Sequence, residues 1–347
     1  MLPYTREDEK ENTNFEARLL MPDDYKSFSP VYNDFREKAF DEYKFELEPL
    51  VYEDFLDAVE KKLIECLVLY ENTIPVAFLI YTTAISEAIE LNIIHSFRME
   101  NVNKRAAYLL KKFLELTKSE RAEKIVCYPM LGSQKDLIGS IARYGFKFVG
   151  IAVLRFMMDG TNSREIFKTA KFSEQTEGYT FAEWDEKYFE DAVKVVQEGF
   201  EDSADALFDP RFKTIEGTTD IITKVVKDLY AEFLPEATTV MLYNDEPVGF
   251  CFMNLTGGKI ANIPLVSIKK EHQGKGLSKF MLKKSLEKIL SMVDSGQKMI
   301  TEVNTTTETN NFQALKMYRH LGFKEDYNYP QSYLPIKTKV YQEDQHQ

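Results

Sequence analysis

Residues 260–293 read IANIPLVSIKKEHQGKGLSKFMLKKSLEKILSMV, and three textures follow one another in them. A nearly continuous apolar run, 260–268, gives way to a basic, glycine-bearing segment, 269–276. After it Leu282, Leu286, Ile289, Leu290 and Val293 recur at the spacing of a helix lying on a core. The stretch therefore predicts a strand, a glycine turn and a helix. Gly274 and Gly276 suit a turn whose backbone comes close to an anion, because no Cβ stands in the way and positive φ is accessible. The first N–H groups of the following helix lack intrahelical partners and aim at such an anion, with the helix dipole adding about 0.3–1 kcal/mol. Lys269, Lys270 and Lys275 raise the local positive potential. Pro264, inside the apolar run, removes a ladder hydrogen bond and predicts a bulge there. A short glycine-capped turn is the alternative that this motif alone leaves open.

Two signatures in order narrow the choice. Gln273-Gly274-Lys275-Gly276-Leu277-Ser278 resembles the acetyl-coenzyme A loop of the GCN5-related N-acetyltransferases, the GNAT family, with Ser278 where the family has Gly or Ala. Downstream, Glu302-Val303 and the pattern Asn311, Ala314, Leu315, Tyr318, Gly322, Phe323 resemble the family's second signature. The resemblance implies an α/β fold, a mixed and mostly antiparallel sheet flanked by helices, and acetyl-CoA as co-substrate. It also implies that the coenzyme is held by Gln273, Gly274, Lys275, Gly276, Leu277 and Ser278 and by the strand edge of Val266, Ser267 and Ile268. Asn311 and Asn304 are further candidates for bonding coenzyme or substrate amides, and Tyr318 stands where the family's tyrosine acts as general acid.

Composition bounds the rest. At 347 residues the chain has room for two domains, and its 44% hydrophobic content is that of a globular protein. With 44 basic and 56 acidic residues, a net charge of −12, it offers no broad basic face to nucleic acid and favours a cationic substrate. The three cysteines, Cys66, Cys127 and Cys251, lie in apolar runs without paired spacing, so neither a metal site nor a disulfide framework is expected. The acidic start resembles no secretory signal, and no apolar run reaches the ~20 residues of a membrane span. A cytoplasmic protein is the expectation.

The chain also repeats itself. The first half reads as a strand at the head of 20–63, then helices, a hairpin at 66–70 and 75–81, and a strand at 88–95. A helix at 106–120, a strand at 124–128, a helix at 137–144 and a β pair at 146–158 complete it. The second half reads as strand 179–184, helices 186–200 and 220–233, and a hairpin at 239–243 and 247–255. The opening stretch, strand 299–304, helix 311–321 and strand-like 329–341 follow. Pro75-Val76-x-Phe78 matches Pro247-Val248-x-Phe250, and Leu110-Lys-Lys-Phe-Leu114-Glu115 matches Leu282-Lys-Lys-Ser-Leu286-Glu287, both 172 positions apart. Gly145-Phe146 matches Gly322-Phe323 at 177. Two tandem GNAT-like domains are expected, 1–160 and 178–347, joined by a linker near 161–177. Moved back by 172, Gln273, Gly274, Gly276 and Ser278 fall on Asn101, Val102, Lys104 and Ala106, and Tyr318 moved back by 177 falls on Ile141. The first domain thus keeps the fold and loses the chemistry.

The chemistry implied is transfer of an acetyl group to a primary amine, on a small molecule or a lysine-like side chain. An alkyl amine with pKa near ~10.4 costs about 4.6 kcal/mol to deprotonate at pH 7, so a base is needed. Glu302, on the strand beside the coenzyme strand, is the first candidate; Glu198, Glu201, Asp202, Asp205 and Asp209 form an acidic region able to attract an amine. His95, His272, His320 and His346 are scattered and make no triad. Two other classes compete: a non-catalytic coenzyme-A-binding or scaffold protein, disfavoured by Tyr318, and a tandem transferase using charged tRNA, disfavoured by the negative charge. The acceptor and the oligomeric state are not legible.

Overall fold

The computed structural model describes residues 14–45, 48–85, 88–97, 100–117, 125–129, 134, 137–171 and 177–334. The chain divides into two compact units, residues 1–148 with 329–347 and residues 149–328.

In the first unit β1 (Phe15–Leu19) leads to α1 (Tyr25–Lys38) and α2 (Tyr52–Glu60), then β2 (Glu65–Glu71), β3 (Ile74–Ile85) and β4 (Ala88–Ser96). There follow α3 (Val102–Leu116), β5 (Ile125–Pro129), α4 (Ile138–Arg143) and the start of β6 (Lys147–Met157). β1 to β4 pair antiparallel in sequence order, β5 joins β4 in parallel, and residues 331–334 pair antiparallel with β5. Alternation along β2 explains the two cores. Leu67 and Leu69 face Leu109, Leu110 and Phe113 of α3, while Val68 and Tyr70 face Phe28 and Phe35 of α1.

The second unit holds most of β6, α5 (Ser163–Thr169), β7 (Tyr179–Glu183), α6 (Phe189–Phe200), α7 (Asp205–Phe208) and α8 (Ile215–Val226). Next come β8 (Glu232–Phe233), β9 (Thr239–Tyr243), β10 (Glu246–Cys251), β11 (Asn254–Thr256), β12 (Ile260–Asn262) and β13 (Val266–Ile268). α9 (Ser278–Asp294), β14 (Glu302–Glu308), α10 (Phe312–His320) and β15 (Lys324–Leu334), whose end belongs to the first unit, complete it. One group of strands runs β13-β10-β9-β7 and another β6-β14-β12-β11-β8, with β12 and β14 parallel. The stripe read from the sequence is the buried face of α9: Leu282, Leu286 and Ile289 are buried with Met281 against Met241 and Val303. Ala192, Val193, Val195 and Val196 of α6 pack with Phe250 and Phe252 on the opposite face.

The repeat holds at the level of backbone. The hairpin turns Asn72-Thr73 and Asn244-Asp245 are 172 apart and both take positive φ (51° and 67°; 51° and 68°). The Phe97 N–H donates to the Val76 carbonyl as the Lys269 N–H donates to that of Val248, each at 2.9 Å. Several elements differ from expectation. Residues 147–157 form one strand rather than a pair: Gly150, inside the run, does not take the positive φ of a turn, and the strand passes through it. α8 spans Ile215–Val226 instead of 220–233, since the Thr214 hydroxyl caps it by accepting from the Gly217 N–H at 3.0 Å. β14 starts and ends later than 299–304, and strand-like material past residue 334 lies outside the described residues. α5 lies within residues 161–177, and strands β6 and β15 each run across the division between the units.

Candidate functional site

The organising stretch splits where proline sits. β12 pairs in parallel with β14 from Ile260/Glu302 to Asn262/Asn304. The Ile263 N–H still reaches the Asn304 carbonyl at 3.0 Å, and Thr305 Oγ1 donates to the Ile263 carbonyl at 3.3 Å. Pro264 then offers no N–H. From Val266 the strand pairs with β10, while β14 continues along β6 as far as Glu308. Two parallel strands therefore part, with Thr305 at the apex. The Leu265 carbonyl and the Lys269 N–H bond toward β10, both at 2.9 Å, so alternation turns the main chain of Val266 and Ile268 to the opening. Ser267 does not face it: its main chain pairs with Phe250, and its Oγ donates to the Val195 carbonyl at 2.7 Å.

The glycine turn lies at the end of that strand. Gly274 and Gly276 take φ of 73° and 69°, which favours glycine. A Cβ at Gly274 would meet nothing within 4 Å, and one at Gly276 only the Lys279 side chain, so the space over the turn is open. Gln273 ties the turn down, its Nε2 donating to the Ile268 carbonyl at 2.8 Å. Leu277, buried, is the N-cap of α9 and caps it with no side-chain hydrogen bond, leaving the first N–H groups, Ser278 among them, to an external acceptor. Beneath the turn His272 Nδ1 meets the Tyr179 phenol at 2.7 Å, and Lys275 Nζ donates to the same oxygen at 3.3 Å.

Tyr318 reaches the apex. Its ring packs edge-on to Phe323, and burial pushes its phenol up to about 12, a bond with Thr305 opposing part of the shift. It therefore stays a proton donor through the physiological range. Burial likewise pushes the Cys251 thiol up to about 12, which makes it an inert core residue.

The remaining expected residues are drawn elsewhere. Glu302, 6% exposed, is paired with Arg155 at 2.5 Å, and Arg155 also meets Asp326 at 2.9 Å. Arg155 therefore engages the carboxylate expected to act as base. Asn304 is buried at the last β12 pairing. Asn311 caps α10, its Oδ1 accepting from the Ala314 N–H at 3.1 Å. The acidic region separates into parts. Glu198 accepts from the Lys270 N–H, and Glu201 and Asp202 pair with Lys270 Nζ, which holds the Glu201 carboxyl below its usual value. Asp209 is paired with Arg211 at 2.5 Å. Asp205 differs: its carboxyl is raised by desolvation and then by Glu308, at the far end of β14.

The sequence reading missed Thr305, Glu308 and the Tyr179–His272 pair, whose partners come together only through strand pairing. Among the described residues no group of three or more His, Cys, Asp or Glu is placed to hold a metal, and no helix is long and apolar enough to cross a membrane.

The first unit carries a closed counterpart. β4 leaves β5 after Glu90, and Asn92, 172 positions before Pro264, is the bulged residue between Leu91/Tyr81 and Ile93/Ile80. α3, expected from residue 106, begins at Val102, so residues 102–105, the match of 274–277, are wound into its first turn. From that turn Arg105, buried, bonds Ser96 Oγ at 3.1 Å and Glu71 at 3.0 Å. Gln134 Nε2 donates to the carbonyl of Ile94, the counterpart of Val266, at 3.1 Å.

Parted parallel strands thus meet an uncapped helix start whose glycines are held at positive φ, which leaves unpaired backbone groups facing open space on an α/β fold. Residues 235–325 match the family model of the acetyltransferase (GNAT) domain. No curated protein matches the chain. Among solved structures it is similar to a GCN5-related N-acetyltransferase from Sphaerobacter thermophilus, at 17% identity and a TM-score of 0.60 over 94% of this chain and 97% of that one. It is also similar to a tandem GNAT protein from the clavulanic acid biosynthesis pathway, at 12% identity and a TM-score of 0.55 over 92% and 98%. At these identities the likeness is one of fold: two GNAT-like domains, each a mixed sheet flanked by helices.

Proposed function

We propose that the C-terminal half is an N-acetyltransferase that moves an acetyl group from acetyl-CoA directly to a primary amine, and that the N-terminal half is a non-catalytic relative. In repeat terms the halves are 1–160 and 178–347, with the linker near 161–177. The observation that carries this reading is the convergence of three features in one unit: parted strands, an open glycine turn and a buried phenol at the apex. The coenzyme supplies the activated acyl group. The N–H groups of 274–278 hold its diphosphate, the edge of Val266 and Ile268 holds its amide-bearing arm, and Asn304 is the neighbouring amide on β14. Tyr318 gives its proton to the departing thiolate, which the high phenol value allows because the thiolate is generated in a desolvated site.

The proton of the incoming amine goes to a carboxylate. Asp205 with Glu308 fits that task better than Glu302, because Glu302 is engaged by Arg155 whereas the Asp205 carboxyl is raised by desolvation and by Glu308. The acceptor is then a cation drawn by the acidic region, either a small amine or a lysine-like side chain, in a cytoplasmic setting and without nucleic acid, membrane or metal. Thiol release from acetyl-CoA across a panel of amines tests the reading. Release that depends on one amine class supports it. Coenzyme binding with no release for any amine would replace it with a non-catalytic coenzyme-binding protein.

A further inference from the structure

Lys275 and the turn that carries it are held from below by residues of other strands. His272, 7% exposed, closes the short 3₁₀ turn Lys270–His272 that leads into the glycines. Its Nδ1 is 2.7 Å from the phenol of Tyr179 at the start of β7, and the Tyr243 ring on β9 packs against both, at 4.8 Å from Tyr179 and 5.1 Å from His272 between ring centres. The phenol oxygen also accepts from Lys275 Nζ at 3.3 Å. An ammonium only donates, so the phenol oxygen accepts from Lys275 while it shares a hydrogen bond with His272 Nδ1, and His272 Nε2 faces Glu271 at 3.3 Å. One phenol thus links the buried end of the turn to the cation at its tip. Two further donors of the ammonium remain for an anion above the glycines.

We propose that Tyr179 is a positioning residue of the diphosphate turn: held by His272, its phenol orients Lys275 over Gly274 and Gly276. The proposal rests on the coenzyme reading of that turn. Coenzyme A is the probe, its affinity measured by isothermal titration on the full chain. Tyr179→Phe keeps the ring and removes the oxygen, and it is expected to weaken binding about fivefold. In a Lys275→Ala background the same change is expected to have no effect, because its target is gone. His272→Gln, which keeps a hydrogen-bonding partner for the phenol, retains most of the affinity, whereas His272→Leu loses as much as Tyr179→Phe. Equal losses from Tyr179→Phe in both backgrounds, or no loss in either, overturn the positioning role. Gly276→Glu separates the two readings: if it abolishes binding while Tyr179→Phe does nothing, the coenzyme site stands and only this inference falls.

Discussion

Replacing Tyr318 by Phe removes one oxygen and little else. The ring keeps its edge-on contact with Phe323, 5.2 Å between centres, and its place in the core beside Leu315 and Leu321. What is lost is the bond to Thr305, whose own hydroxyl still donates to the Ile263 carbonyl. A net hydrogen bond is worth about 0.5–1.5 kcal/mol, which for units of this size lowers Tm by a few degrees and leaves the protein folded at 25 °C. On the proposed role, loss of the general acid is expected to cost far more in rate, about 10²–10⁴-fold in kcat, while coenzyme affinity and the acceptor KM stay near wild type. The assay is steady-state thiol release over pH 6 to 11. Because burial pushes the wild-type phenol up to about 12, kcat has no alkaline limb from this group near pH 10, where an ordinary tyrosine titrates. A Phe variant within about threefold of wild-type kcat, or a wild-type limb near 10 that the variant abolishes, refutes the reasoning.

Three further outcomes follow from the structure. Asp205→Asn is expected to lower kcat/KM for the amine by at least about tenfold with coenzyme affinity unchanged, checked by kinetics and titration on the same preparation. Gly199→Ala places a methyl group on Ser267 Oγ, which is fixed to the Val195 carbonyl, and is expected to cost about 1–3 kcal/mol by urea unfolding and to shift β13 from α6. In the first unit His95 is enclosed by Tyr43 at 2.7 Å and Asp34 at 2.8 Å, with Lys38 and Glu42 nearby, and burial holds it below its ordinary 6.5. The unfolded chain takes up that proton as pH falls below 6.5 and the native state does not, so stability declines in that window, above the range where Asp34 titrates. His95→Gln is expected to flatten the decline in thermal melts between pH 6.5 and 5; an unchanged slope would remove His95 as its source.

The parts of this molecule written in local pattern were legible. The α9 stripe, the left-handed Gly274 and Gly276 and the break at Pro264 each follow from a residue's own chemistry and its neighbours in sequence. So does the 172-residue repeat, which the paired hairpin turns carry down to φ. What was hidden depends on partners far along the chain. Arg155, on a strand read as part of the first domain, pairs with Glu302 and turns a candidate base into half of an ion pair. Lys270 neutralises two of the five acids read as one cluster, and Arg211 a third. The early start of α3 was missed because Val102-Asn-Lys-Arg105 was aligned to a loop, although nothing in those residues forbids a helix.

The central claim is that bare backbone at 274–276 grips a diphosphate and that the matching turn of the first unit, wound into α3 and occupied by Arg105, does not. Isothermal titration of the full chain with coenzyme A tests it most directly. The account predicts one site per chain, abolished by Gly276→Glu in a protein that still melts cooperatively. Two sites per chain, or undiminished affinity in the folded Gly276→Glu variant, would contradict it.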